Sequence, residues 1–281
     1  MFSNAIVGVK ELEAGRDVIR LARVLTSANG NLTLAHVRVL ATRPAPDSGA
    51  AGSAAKRRYA LERLAALRDE SQLDAEVAYA EARDVRQGLH DLARARDADL
   101  LVIGASRADE IYRDLVGDEA RELLNDPPCA VVVAPARYCA HLAPLSTIGV
   151  AYDRAADSDH ALVVARRLAA DAHAGLSAFH AVTGLHLRDP RRFEESTDDE
   201  AAQARERIER LGGVEAHAEY GDPVEELGRY GASVDLLVLG SHRHGPLGRL
   251  LGRGTAQRLA DEPVRPLLVV PQDASASLAV G

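Results

Sequence analysis

Short, wholly apolar runs alternate along this chain with longer stretches in which apolar residues recur every three or four positions. AIVGVK (5–10) opens with the first kind of pattern. A strand without polar alternation is one covered on both faces, as in a parallel sheet packed between helices. RDVIRLARVLTSA (16–28) shows the second pattern: Val18, Ile19, Ala22 and Leu25 share one helical face, and Asn29-Gly30 is expected to stop the helix. LTLAHV (32–37) predicts a second strand, and a loop with two prolines and several small residues follows over 41–55. Then come a helix AKRRYALERLAALRDE (55–70), a strand AEVAYA (75–80), a helix DVRQGLHDLARARDA (84–98) and a strand DLLVIG (99–104). A helix around 117–125 and the strand CAVVVAP (129–135) close the series.

The series then repeats. DADLLVIGAS (97–106) matches SVDLLVLGSH (233–242), AVVVAP (130–135) matches LLVVP (267–271), LTLAHV answers LSAFHA (176–181), and AIVGVK answers IGVAYD (148–153). The second series has EAHAEY (215–220) as its third strand and DPVEELGRYGA (222–232) as the helix after it. Its helix at 200–211 is preceded by an acidic turn, EESTDDE (194–200). A boundary in ARYCAHLAPLS (136–146) gives two domains, 1–140 and 145–273. Strand–helix alternation predicts an α/β fold with two tandem, doubly wound parallel sheets, right-handed crossovers and amphipathic helices as covers. Ligands of such sheets sit beyond the strand C-termini, where the strand order reverses. The residues to inspect are therefore those just after IVGV, VAYD, VIG and VLG.

Composition narrows the function. The 281 residues are 47% hydrophobic but 4% aromatic, with no Trp, so the cores are built from Ala, Leu and Val. A formal charge of −8 speaks against a dedicated nucleic-acid binder. No apolar run approaches the ~20 residues of a membrane span, and MFSNAIVGVKELEAG does not read as a signal peptide. Cys129 and Cys139 are not in a C-x-x-C arrangement, so no disulfide framework is expected, and the expected location is the cytoplasm. The tail DASASLAVG (273–281) reads as disordered.

One stretch carries chemistry: LVLGSHRHGPLGRLLGRGT (237–255). An apolar strand stops at Gly240, and a glycine-rich basic segment leads into a predicted helix, whose N-terminus can hold phosphate through free N–H groups. Two doubly wound repeats, each with a glycine after its fourth strand and a closing apolar strand (CAVVVAP, PLLVV), resemble a tandem universal stress protein. The resemblance covers nearly the whole chain. It implies Rossmann-like domains of the adenine nucleotide alpha hydrolase type, related by a pseudo-twofold. It also implies ATP as ligand, with Mg²⁺ as an option, bound by a G-x-x-G-x9-G-[S/T] segment and by an aspartate at the end of the first strand.

In the second copy that aspartate is Asp153, which either faces the adenosine or caps the next helix. Gly240 matches the first motif glycine. Arg243 and Arg253 replace the second and third glycines, Gly254 replaces the Ser/Thr, and Thr255 lies one residue late. Gly252, Gly254 and Thr255 still offer N–H groups and a hydroxyl, while Arg243 and Arg253 add charge-assisted donors. His242 and His244 lack acidic or cysteine partners at ligand spacing, so His242 is read as a hydrogen-bonding neighbour and no metal site is assigned. His36 and His180, at matching places in the second strands, read as histidines satisfied by backbone.

The first copy departs further. Lys10 takes the aspartate position with Glu11 beside it. Gly104 and Gly117 match, but Arg107 replaces the second glycine and Asp118 the Ser/Thr. Ala82-Arg83 replaces the Gly221-Asp222 pair of the second copy. The first site therefore reads as degenerate. There is no P-loop and no G-x-S-x-G elbow, hence no visible catalytic apparatus, although slow ATP hydrolysis stays open. The leading expectation is a stress-response regulatory protein binding ATP chiefly through the second domain. The alternative is an interaction module that has lost ATP, and a nucleotide-acting enzyme is the third. Adenine nucleotide is the expected partner, with neither nucleic acid nor membrane. The last strands are expected to pair with each other, and a homodimer stays open.

Overall fold

The computed structural model describes residues 1–10, 12–40, 50–105, 123–124, 126–136, 138, 144–183, 190–241, 255–261 and 263–272, with backbone only for 12–14, 50–51 and 190–197. The chain divides into two compact units, Met1–Leu142 and Ala143–Ala279. The first holds β1 (Phe2–Gly8), α1 (Leu12–Leu25), β2 (Thr26–Val39), α2 (Ala50–Glu70), β3 (Glu76–Ala82), α3 (Val85–Ala95), β4 (Leu100–Gly104) and β5 (Ala130–Ala134). The second holds β6 (Thr147–Ala151), α4 (Ala156–Ala172), β7 (Gly175–Val182), α5 (Pro190–Glu209), β8 (Glu215–Tyr220), α6 (Pro223–Ala232), β9 (Leu236–Gly240), α7 (Thr255–Asp261) and β10 (Leu267–Val270).

Both sheets are parallel, ordered β3-β2-β1-β4-β5 in the first unit and β8-β7-β6-β9-β10 in the second. Each chain half walks outward from its first strand and returns to the opposite side for its fourth. This places a topological switch point between β1 and β4, and another between β6 and β9. The α/β class with two tandem doubly wound sheets is as read from the pattern.

Three element boundaries differ from the sequence reading. Val18, Ile19, Ala22 and Leu25 do form the buried face of α1. The helix nevertheless ends at Leu25, because buried, β-branched Thr26 already pairs with Phe2 as a strand residue. Asn31 then pairs with Asn4, so Ser27–Gly30 form an irregularity inside β2 and Asn29-Gly30 is no helix stop. α2 starts at Ala50, inside the expected loop, where four alanines in 50–55 favour helix. α5 starts at Pro190, a residue suited to the first helical position, so the acidic segment 194–200 is helical rather than a turn. Of the helix expected around 117–125, Leu123 and Leu124 are helical and buried, and the remainder lies outside the described residues.

The repeated D-L-L-V has a structural basis. Asp99 accepts hydrogen bonds from the N–H groups of Ser3 (2.7 Å) and Asn4 (2.8 Å), and its own N–H donates to Asn4 O at 3.0 Å. Asp235 accepts from Ser146 N (2.9 Å), Thr147 N (3.0 Å) and Thr147 Oγ1 (3.1 Å), and donates to Thr147 O at 3.0 Å. Each aspartate thus clips the entry of the fourth strand to the entry of the first. Asp235→Ala is expected to cost about 1 kcal/mol, read as a lower denaturant midpoint, because it removes hydrogen bonds whose exposed donors then turn to water.

Candidate functional site

The β6/β9 register pairs Val150 with Val238, which brings Gly240 level with Tyr152 and one residue short of Asp153. These positions form the C-terminal lip of the second switch point. Beyond Tyr152 the chain turns sharply: Arg154 takes the left-handed conformation (φ 68°), costly for a residue with a side chain. Asp153 Oδ1 accepts from Ala155 N at 3.0 Å, while its own N–H donates to Ser158 Oγ at 3.3 Å. Ser158 Oγ donates in turn to Ala155 O at 2.9 Å. The N-cap of α4 is Ala155, so Asp153 sits outside the cap position and braces the turn one step earlier. Its carboxylate stays exposed at the lip.

Tyr152 and His180 make this lip rigid. Tyr152 is buried, and its hydroxyl donates to Asp159 Oδ1 at 2.9 Å. Burial first, and that hydrogen bond second, push its pKa up to about 12, which keeps the phenol neutral. His180 Nδ1–H donates to Tyr152 O at 2.7 Å, and Tyr152 N–H to Phe179 O at 2.9 Å. The first copy repeats this construction: His36 Nδ1–H donates to Val9 O at 2.9 Å, and Val9 N–H to Ala35 O at 2.8 Å. Val9 therefore corresponds to Tyr152, and Lys10 to Asp153. Both histidines are satisfied by backbone, as read from the sequence.

Gly240 has a packing reason to be glycine. A Cβ there would lie 2.5 Å from the Asp157 carbonyl carbon and 2.7 Å from the Asp157 Cβ, so the first turn of α4 closes directly on the end of β9. Among the described residues Gly104 faces no such approach, its nearest neighbour there being Val18 Cγ1 at 3.5 Å. Asp157 and Asp159 load the first turn of α4 with negative charge at its positive end, which disfavours phosphate at that helix start. Thr255 is the first residue of α7 and half-buried. His242, Arg243, Gly252, Arg253 and Gly254 lie outside the described residues, as do Glu11, Arg107, Gly117 and Asp118. The Gly221-Asp222 pair has a local explanation: Asp222 caps α6, accepting from Val224 N (2.9 Å) and Glu225 N (3.2 Å). In the first copy the cap of α3 falls one residue later, on Asp84.

The model of the Universal stress protein family matches residues 1–135 and again 144–271. The chain belongs to the universal stress protein family. Two matches in one chain make it a tandem universal stress protein, a class of stress-response proteins. No protein of curated function matches its sequence. Among solved structures, this universal stress protein is similar to a functionally unknown protein from Pseudomonas aeruginosa PAO1 (18% identity, TM-score 0.68, covering 99% of this chain and 95% of that one). It is also similar to a universal stress protein from Archaeoglobus fulgidus DSM 4304 (15% identity, TM-score 0.66, covering 96% and 98%). The cytoplasmic domain of a prokaryotic cation chloride cotransporter matches over 100% of both chains at 14% identity and a TM-score of 0.53. At such identities the likeness is one of fold. Among the described residues, no helix is long and apolar enough to cross a membrane.

Two groups escaped the sequence reading. Strained Arg154 has no local signal beyond its place after Asp153. The polar set Arg38, Tyr79 and Glu81 was legible in principle, since polar residues stand at alternate positions of two adjacent strands, His36 and Arg38 in β2, Tyr79 and Glu81 in β3.

Proposed function

We propose that this universal stress protein binds adenine nucleotide, ATP, chiefly through its second copy and acts as a stress-response regulator without dedicated catalysis. The observation that carries this reading is the placement of Asp153. A left-handed turn at the β6/β9 switch point holds its carboxylate exposed, one residue from the level of Gly240. A carboxylate accepts hydrogen bonds only, which suits the amino and hydroxyl donors of adenosine. The acidic first turn of α4 repels phosphate, so the phosphates, with Mg²⁺ when bound, are assigned to 252–255. There Gly252, Gly254 and Thr255 contribute N–H groups and a hydroxyl, and His242, Arg243 and Arg253 assist. In the first copy Lys10 replaces the acceptor with a cation, which removes the adenosine partner.

Calorimetric titration of nucleotide-stripped protein with ATP and Mg²⁺ tests this. The expected result is one equivalent, lost in Gly254→Asp, unchanged in Asp118→Ser, and weakened about tenfold or more in Asp153→Ala. No heat at millimolar ATP would replace this reading with that of an interaction module.

A further inference from the structure

The second helix is bedded differently in the two copies. Under α5, Val182 and Ala218 pack with Ala201 and Ala204 into an apolar cluster, and Ile208 is buried further along. Under α2 the matching strand positions are polar. Arg38 pairs with Glu81 at 3.0 Å, and the Ser53 and Tyr79 hydroxyls donate to the same carboxylate oxygen, each at 2.8 Å. Among the described residues of α2, burial begins only at Leu64 and recurs at Leu67. From Ala54 to Tyr59 every residue is exposed, over more than a full turn. Helices draw most of their stability from an apolar face packed on something, and this half of α2 has none within its own chain.

The same stretch is unbalanced in charge. Over 54–63, Lys56, Arg57, Arg58 and Arg63 stand against one acid, Glu62. Arg58 lies 3.9 Å from Glu62, while Lys56, Arg57 and Arg63 have no ion-pair partner among the described residues. Lys56, Tyr59 and Arg63, at i, i+3 and i+7, share one exposed stripe. Tyr59 is 59% exposed, and the Arg63 guanidinium rests over its ring at 5.5 Å. The opposite surface lies on α5. Over 198–209 five acids stand against two arginines. Asp198, Asp199 and Glu200 are exposed, again with no ion-pair partner among the described residues. Asp199, Ala202 and Glu206 repeat the i, i+3, i+7 stripe, all exposed, with Glu206 also 3.4 Å from Arg210. On both helices the two outer charges are two turns, or about 10.5 Å, apart. Small Ala202 holds the middle place on α5 where bulky Tyr59 holds it on α2. The stripes are complementary in sign, spacing and bulk. Exposed ion pairs contribute about 1 kcal/mol or less each, so such a set chooses the partner and register of a weak association.

We propose that α2 of one chain docks on α5 of a second copy of this chain, a twofold repeating the contact with the roles exchanged. Lys56 and Arg63 then meet Asp199 and Glu206, and Tyr59 covers Ala202. The contact is independent of nucleotide at the second copy. Sedimentation velocity on the full chain and on two charge-reversed variants tests this. Lys56→Glu with Arg63→Glu leaves both stripes acidic, and Asp199→Lys with Glu206→Lys leaves both basic. The wild type is expected to dimerise in low salt, with a dissociation constant raised about tenfold or more at roughly 0.5 M NaCl. Each variant alone is expected to be monomeric. An equimolar mixture of the two is expected to dimerise again, because every contact then joins opposite signs, and that recovery separates lost attraction from lost fold. The proposal falls if the wild type stays monomeric at about 100 μM in low salt. It falls equally if salt leaves the dimer unweakened, if either variant alone dimerises as the wild type does, or if the mixture stays monomeric.

Discussion

Gly149→Ile is expected to destabilise the second copy by about 3 kcal/mol or more, at the upper end of what overpacking a core costs. Even the first added carbon has no room: a Cβ at 149 would lie 2.6 Å from Tyr230 Oη and 2.8 Å from its Cζ. The ring cannot step aside. It is buried, stacked on Phe179 at 4.8 Å, and hydrogen-bonded through its hydroxyl to Ser177 Oγ at 2.6 Å. Burial has pushed this phenol up to about 12, so it stays neutral there at any physiological pH. Isoleucine is the informative replacement because Ile6 holds the corresponding place in β1, where it is fully buried. The ring is the cause only if removing it removes the penalty. In a Tyr230→Ala background the cost of Gly149→Ile should fall by about 1–3 kcal/mol, whereas Tyr230→Phe, which keeps the ring, should leave it in place. Guanidinium midpoints for the two cycles decide the matter.

A second large effect is expected at the lip of the candidate site. Gly240→Ala should cost about 1–3 kcal/mol, because the new methyl meets helix backbone at Asp157 and not the movable end of a side chain. Gly104→Ala, the same change at the matching position of the first copy, should be nearly neutral, since its methyl would sit 3.5 Å from Val18. Equal costs at the two glycines, measured by thermal or chemical denaturation, would mean that α4 does not close on β9 as described. The contrast also bears on ATP. A glycine that packing already explains is weak evidence of a phosphate cradle, so the reading rests more on Asp153 than on Gly240.

The sheets were legible because parallel strands covered on both faces announce themselves as unbroken apolar runs, such as IVGV and LLVLG. The internal repeat was legible because both copies depend on the same clip, Asp99 in one and Asp235 in the other. Boundaries were less so. Asn29-Gly30 looks like a helix stop, yet pairing of Thr26 with Phe2 ends α1 earlier, and that pairing depends on a residue 24 positions upstream (26 − 2). The same limit applies to the site. Asp153 could be named from its place after a strand, but the left-handed Arg154 that follows it leaves no signal in the residue types. In the first copy, Val9, His36 and Arg63 line one cleft, a proximity that exists only once β1, β2 and α2 are assembled.

The faces beneath α2 and α5 are unlike, and this has a consequence for how the chain folds: Arg38, Ser53 and Tyr79 hydrogen-bond to Glu81 in the first copy, whereas Val182, Ala201, Ala204 and Ala218 form an apolar cluster in the second. Tandem copies of one topology invite misassembly during synthesis, when a helix of one repeat can dock on the half-built sheet of the other. Here such an exchange would set the alanines of α5 over Arg38 and Glu81, without the Ser53 hydroxyl that completes their hydrogen bonds. The reverse exchange would bring Ser53 to an apolar surface at Val182 and Ala218, where Tyr220 stands in the place of Glu81. Each helix thus carries a key that opens only its own sheet, and divergence between the repeats protects the pair from entangling.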